Sequence, residues 1–267
     1  MRLPTLFVSH GAPTLALEAG PDAALLASLP ATLAPVRAVL VVSAHLQARG
    51  VTLSATPAPR TVHDFYGFPA PLYRLSYPAT GSAWLAGEVE AALAAAGIAC
   101  GRDDSRGIDH GVWVPLMKMW PAADVPVVTL ALPHGASAAE LAALGAALSV
   151  LPDEGVLVLG SGGYVHNLSE LAEDGSAPPA WARAFAAWLD DALRSDDRQR
   201  LLDWEGQAPF ARRAHPSSEH LAPLFVALGA AGEGAQARKL FDGWRYGALS
   251  MAAFSFASPP AGARNAL

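Results

Sequence analysis

Ala38-Val39-Leu40-Val41-Val42-Ser43-Ala44-His45 is a run of apolar, largely β-branched residues that ends on a histidine. A strand with one wet face alternates apolar and polar side chains. This one does not, so it reads as a strand buried on both sides, in a sheet with helices above and below. Three further runs share its character, over Thr5–Ser9, residues 125–131 and residues 156–159. Ala- and Leu-rich segments with helical spacing lie between and after them, over residues 22–29, 82–96, 137–151 and 178–194. Strands alternating with helices predict one α/β domain over residues 1–267, with a mostly parallel central sheet and helices on both faces.

Composition supports a packed domain. Of the 267 residues, 52% are hydrophobic and only 16% charged, enough apolar material for a doubly covered sheet and little for a solvated tail. The net charge of −6 and the absence of a Lys/Arg run argue against nucleic acid or an anionic membrane as partner and leave small molecules. Cys100 is the only cysteine, so no internal disulfide forms and a cytoplasmic location is expected. The apolar run after Arg2 contains Pro4 and ends at Ser9-His10, too short for the core of a signal peptide. No apolar stretch is long enough to span a bilayer without a charge or a Gly/Pro break.

Two stretches lack a period. Residues 57–78 mix Pro, Gly and aromatics and read as a long ordered loop, a kind that is usually functional. Residues 102–115, which hold Asp109, His110 and Gly111, read as a second site loop. Residues 239–257 read as two short strands around Tyr246-Gly247 that close a sheet edge.

The histidines carry the chemical signal. His10 directly follows the first strand, His45 the second, and His166 follows residues 156–159 through Gly160-Ser161-Gly162-Gly163, read as a turn. Ligands of open α/β sheets bind at the carboxyl ends of strands, and neutral imidazole is the commonest ligand of Fe, Zn, Cu and Ni. His215-Pro216-Ser217-Ser218-Glu219-His220 precedes an apolar helix over residues 221–228, with Ser217 or Ser218 as its cap. That placement turns Glu219 or His220 inward, although Glu219 equally suits a first-turn carboxylate favoured by the helix dipole. His63, Phe65 and Tyr66, in the first loop, are candidates for holding an aromatic substrate. His134, after Pro133, is a weaker candidate for the rim, and Trp113 and Trp120 read as core.

Six segments, in order, are more specific than any of these alone: Ser9-His10-Gly11-Ala12-Pro13, Ser43-Ala44-His45, His63-Asp64-Phe65-Tyr66-Gly67-Phe68-Pro69, Asp109-His110-Gly111-Val112-Trp113, Gly160-Ser161-Gly162-Gly163-Tyr164-Val165-His166-Asn167-Leu168 and residues 216–223. Together they resemble the class III extradiol ring-cleavage dioxygenases, in particular the DOPA 4,5-dioxygenase type. The resemblance implies a non-haem Fe(II) centre that takes a catechol such as DOPA together with O2 and opens the ring beside the diol. It implies His10, His45 and His220 as metal ligands, with His220 standing where other class III enzymes carry a glutamate. It implies His166 as the acid/base, a residue that also touches the metal in zinc-containing members, so Zn(II) is the second cofactor to expect. It places His110 at the substrate pocket with a catalytic role. The chain departs from the family at Ala12-Pro13, Leu46 and Ser218, where Ser-Pro, Trp and Pro are common. Those positions bear on the pocket wall rather than the metal shell.

Two other functions fit the same histidines. A zinc hydrolase would use the metal to make hydroxide rather than to activate oxygen. A non-catalytic metal-binding protein would share the fold without the chemistry.

Overall fold

The computed structural model describes residues 2–257. Its strands are β1 (Thr5–Ser9), β2 (Ala38–Ser43), β3 (Gln47–Ala48), β4 (Thr52–Ser54), β5 (Gly101–Arg102), β6 (Val127–Pro133), β7 (Val156–Gly162), β8 (Gln236–Phe241), β9 (Trp244–Arg245), β10 (Leu249–Ser250) and β11 (Ala253–Ala257). The helices are α1 (Pro21–Thr32), α2 (Ala83–Ala95), α3 (His110–Met119), α4 (Ala138–Ala147), α5 (Ala180–Arg194), the short α6 (Arg198–Leu202), α7 (Trp204–Gln207) and α8 (Ala211–Ala214), and α9 (Ala222–Ala230).

The central sheet runs β5-β4-β6-β2-β7-β1-β11-β8, with β3 paired to β6 beside it. Its middle, β6-β2-β7-β1, is parallel, as the doubly buried runs predict. Antiparallel pairings of β4 with β6 and of β11 with β1 and β8 make the sheet mixed. The alternation of side chains splits each central strand between two cores. Ala38, Leu40 and Val42 of β2, Phe7 of β1, and Val156 and Val158 of β7 face the layer built by α2, α4, α5 and α9. Val39 and Val41, Leu6 and Val8, and Leu157 and Leu159 face α1 and α3. At roughly 1.5–3 kcal/mol for each fully buried aliphatic side chain, these two cores dominate what holds the sheet in register.

Helix starts follow local chemistry. Ser82 accepts from the Leu85 backbone N–H to begin α2, and Ser137 and Glu140 form a reciprocal capping box at α4.

Four expectations from the sequence change. The stretch 102–115 is a loop only to Asp109, and α3 begins at His110 and runs through Pro115. Gly160-Ser161-Gly162 is strand rather than turn, because β7 extends to Gly162. The last long helix starts at Ala222 with Leu221 as its cap, and Ser217 spends its hydroxyl on Glu219 instead of the helix. In the tail, the strands flanking Tyr246-Gly247 are β9 and β10, which pair with each other outside the main sheet, while β8 and β11 extend the main sheet edge.

Candidate metal centre

Sheet order explains why distant histidines meet. β2 and β1 flank β7, all three parallel, so the chain leaves β1 at His10 and β2 at His45 on the same edge of the sheet. The Nε2 atoms of His10 and His45 lie 3.0 Å apart. Among the described residues, His10, His45 and His110 each offer a ring nitrogen within 4.8 Å of the others. His220 faces the same centre, its ring 4.9 Å from that of His45 and 5.7 Å from that of His10. His166 lies flat against His220, 3.4 Å between ring centres and 8° between planes.

Hydrogen bonds assign the tautomers. Pro115 has no N–H to give the Gly111 carbonyl four residues earlier in α3, so that carbonyl needs a donor from outside the helix. The Ser161 hydroxyl supplies it, and Ser161 can then only accept from His10 Nδ1, 3.0 Å away. His10 therefore carries its proton on Nδ1 and presents a bare Nε2. His110 donates from Nδ1 to Asp64 Oδ2 at 2.9 Å, while Asp64 Oδ1 receives the His110 backbone N–H. His220 donates from Nδ1 to Glu219 Oε1 at 2.9 Å. The bond to His220 holds the Glu219 carboxyl down at about 2, and the bond to His110 holds Asp64 below its usual range, so both acceptors are carboxylates. Three imidazoles thus have one nitrogen tied outward and the other free inward, the arrangement that orients histidine ligands.

Electrostatics keep His10, His45 and His166 neutral. Burial first, then the neighbouring histidines, lowers His10 well below its ordinary value. Burial and then His110 and His220 push His45 down to about 3, and burial and then His220 push His166 to about 2. A bare His10 Nε2 only 3.0 Å from another ring nitrogen is unfavourable unless a proton or a cation lies between them. Neutral, inward-facing nitrogens suit a divalent transition metal, so the donor set fits the expected group.

Backbone geometry brings in the last histidine. A Cβ on Gly162 would fall 2.1 Å from the His220 carbonyl oxygen, so only glycine lets β7 lie against the loop that carries His220. The Gly163 N–H then donates to that same oxygen at 2.8 Å.

A cavity of about 350 Å³ opens beside the four histidines and His166, walled by Phe65, Phe68, Leu168, Leu171, Tyr246 and Leu249. Of the residues expected to hold substrate, Phe65 lines it. Tyr66 does not, for its side chain is 92% exposed. His63 packs edge-on to Phe65 behind the wall and bonds the Leu75 carbonyl through Nε2 at 3.1 Å. His134 lines a different cavity, and Trp113 is fully buried. His215 sits under the cluster with Nε2 on the Tyr164 carbonyl, and burial pushes it down to about 4.

Sequence reasoning placed His110 at the pocket but missed how near it stands to His10 and His45. It also missed Ser161 and Asp64 as their supports, and Leu171, Tyr246 and Leu249 as wall. Asp64 directly follows His63 in the chain, and Ser161 is the one side chain between two glycines.

Comparison with known proteins gives the same direction. The family described as the catalytic LigB subunit of aromatic ring-opening dioxygenase matches residues 4–256. The chain is 39% identical, over 95% of its length and 96% of the relative's, to a protein of Beta vulgaris named 4,5-DOPA dioxygenase extradiol. A protein of the same name from Escherichia coli (strain K12) is 37% identical over 86% of this chain and 85% of its own. The crystal structure of an uncharacterized Escherichia coli K12 protein matches with a TM-score of 0.80 at 31% identity, covering 95% of this chain and 99% of that one.

Proposed function

Because the chain belongs to the family of the catalytic LigB subunit of aromatic ring-opening dioxygenases, and is an enzyme of that type, we propose that it opens the ring of a catechol beside its diol, using O2 and an Fe(II) ion. The observation that carries this reading is the convergence of ring nitrogens from His10, His45 and His110, with His220 beside them, at the floor of an apolar cavity. An Fe(II) ion held there would supply the one-electron exchange that lets triplet O2 react with a singlet catechol.

The residues divide the remaining work. His10 and His45 hold the metal with His220 as third ligand, and His110 stands at the same centre facing the diol. Ser161, Asp64 and Glu219 keep the tautomers that leave the inner nitrogens bare. Phe65 and Phe68 exclude water and offer ring edges to an aromatic substrate. His166 is neutral at working pH, and neither of its ring nitrogens bonds another group among the described residues. A ring nitrogen of His166 is thus free to take a proton from a catechol hydroxyl and return it later. The negative charge left on the diol raises the proton affinity of His166 in the complex.

The test is anaerobic loading with Fe(II), then addition of a catechol and oxygen. The expected result is stoichiometric oxygen uptake with a yellow ring-fission product, and none from protein loaded with Zn(II). Metal bound at one equivalent with no oxygen uptake on any catechol would overturn the assignment.

A further inference from the structure

The outer wall of the cavity limits which catechols it can take. Beyond the histidines and the Gly11-Ala12-Pro13 segment it is formed by Phe65, Phe68, Leu168, Leu171, Tyr246 and Leu249, and among the described residues no Lys, Arg, Asp or Glu side chain lines it. Two charged residues that adjoin this wall in the chain are already paired. Arg245, next to Tyr246, bonds Asp22 at 3.0 and 3.1 Å, Asp174 at 3.1 Å and Glu18 at 2.9 Å. Glu170, between the two lining leucines, is held away by Arg213 at 2.7 and 3.0 Å. Leu168 and Leu171 meanwhile stay 61% and 44% exposed at the mouth, where they form an apolar rim.

We propose that the site selects catechols whose ring substituent is uncharged and apolar over diols bearing a carboxylate or an amino-acid head group. This deepens the ring-opening reading and rests on it for the placement of the diol at the histidines. With the diol fixed at the floor, a substituent on the ring must run along the leucine and phenylalanine wall. An alkyl or aryl group buries apolar surface there. A carboxylate lying against the same wall would give up part of its hydration with no cation to receive it, and the already paired Arg245 could turn to it only by leaving three carboxylates. Tyr246 offers a single hydroxyl, enough for a neutral oxygen and not for a charge.

Three diols of matched skeleton test the proposal: 4-propylcatechol, 3-(3,4-dihydroxyphenyl)propanoate and DOPA. Calorimetric titration into Zn(II)-loaded full-length protein measures binding without turnover. Steady-state oxygen uptake with Fe(II)-loaded protein then measures kcat/KM. The Kd of 4-propylcatechol is expected to be at least about tenfold below those of the two charged diols, with kcat/KM in the same order. Equal or tighter binding of either charged diol, or no binding of 4-propylcatechol, overturns the proposal. The expected binding order without ring opening of any diol would leave the substrate class standing and sink the dioxygenase reading. Ring opening with DOPA preferred would do the reverse. Leu171→Arg puts a cation on the rim and should bring propanoate and 4-propylcatechol within about threefold of each other. An unchanged ratio in a folded variant would show that this wall does not meet the substituent.

Discussion

Ser161→Ala probes the longest chain of cause in the site. The hydroxyl is fully buried, donates to the Gly111 carbonyl and accepts from His10 Nδ1. Removing it orphans a carbonyl that Pro115 cannot serve and an N–H that fixes the tautomer of His10. Each unsatisfied buried group costs roughly 1–3 kcal/mol, so the metal-free protein should lose about 2–6 kcal/mol in urea denaturation. Freed of its partner, His10 can move its proton to Nε2 and close the inward lone pair. Loss of such an outer partner typically weakens metal binding by about 10- to 100-fold, to be read by competition with a chromophoric chelator. A second change separates the two effects. Pro115→Ala in the Ser161→Ala background gives Gly111 a helical N–H donor, so part of the stability should return. Metal affinity should stay low, because His10 is still unheld. A chelator-competition Kd within twofold of wild type in Ser161→Ala, despite the stability loss, would refute the tautomer argument and leave Ser161 as a brace for α3.

Three further outcomes are expected. His166→Ala should keep its metal, measured by elemental analysis, and lose about 10²- to 10⁴-fold in turnover; activity above a tenth of wild type would remove it from proton transfer. His10→Ala and His45→Ala should each empty the site. Of the other two, His220→Ala should lose more metal than His110→Ala, and the opposite order would make His10, His45 and His110 the ligand set. Burial holds His45, His166 and His215 at about 3, 2 and 4, below the value near 6.5 that each has in the unfolded chain. Their folded pKa values are depressed, so below pH 6.5 the unfolded chain takes up protons that the native state refuses. Stability of the metal-free protein should therefore be full above pH 6.5 and fall as the pH drops towards 4, by up to about 1.4 kcal/mol per pH unit for each histidine. A flat urea midpoint between pH 7.5 and 5 would show that these imidazoles are wetter than their packing indicates.

What could be read from the sequence, and what could not, follows from the range of the forces involved. β1, β2 and the start of β7 announce themselves because burial on both faces writes a continuous apolar run, and His10 and His45 follow from their place at strand ends. The error at α3 is equally physical. Pro115 and two glycines depress helix propensity over 107–115, yet Val112, Trp113 and Leu116 bury completely against the sheet and outweigh it. The glycines at 160 and 162 misled for a related reason. In isolation glycine marks a turn, whereas here it is strand, kept small because another backbone lies within 3 Å of where a Cβ would stand.

The supports of the site belong to a third class, since no local pattern encodes them. Asp64 meets His110 across 46 residues, Ser161 meets His10 across 151, and only the strand order β2-β7-β1 brings the second pair together. Glu219 is the exception that shows the rule. It neighbours His220 in the chain, and the sequence offered it both as an inward-facing group beside the metal and as a helix-dipole carboxylate, whereas in the fold it tethers His220. The folded chain thus uses proline, serine and carboxylates for one purpose from three directions, to fix on which nitrogen each imidazole keeps its proton. A cluster of histidines that had only to pack would need no such control. The outward tethering of Nδ1 at positions 10, 110 and 220 is therefore stronger support for a metal than the proximity of the rings alone.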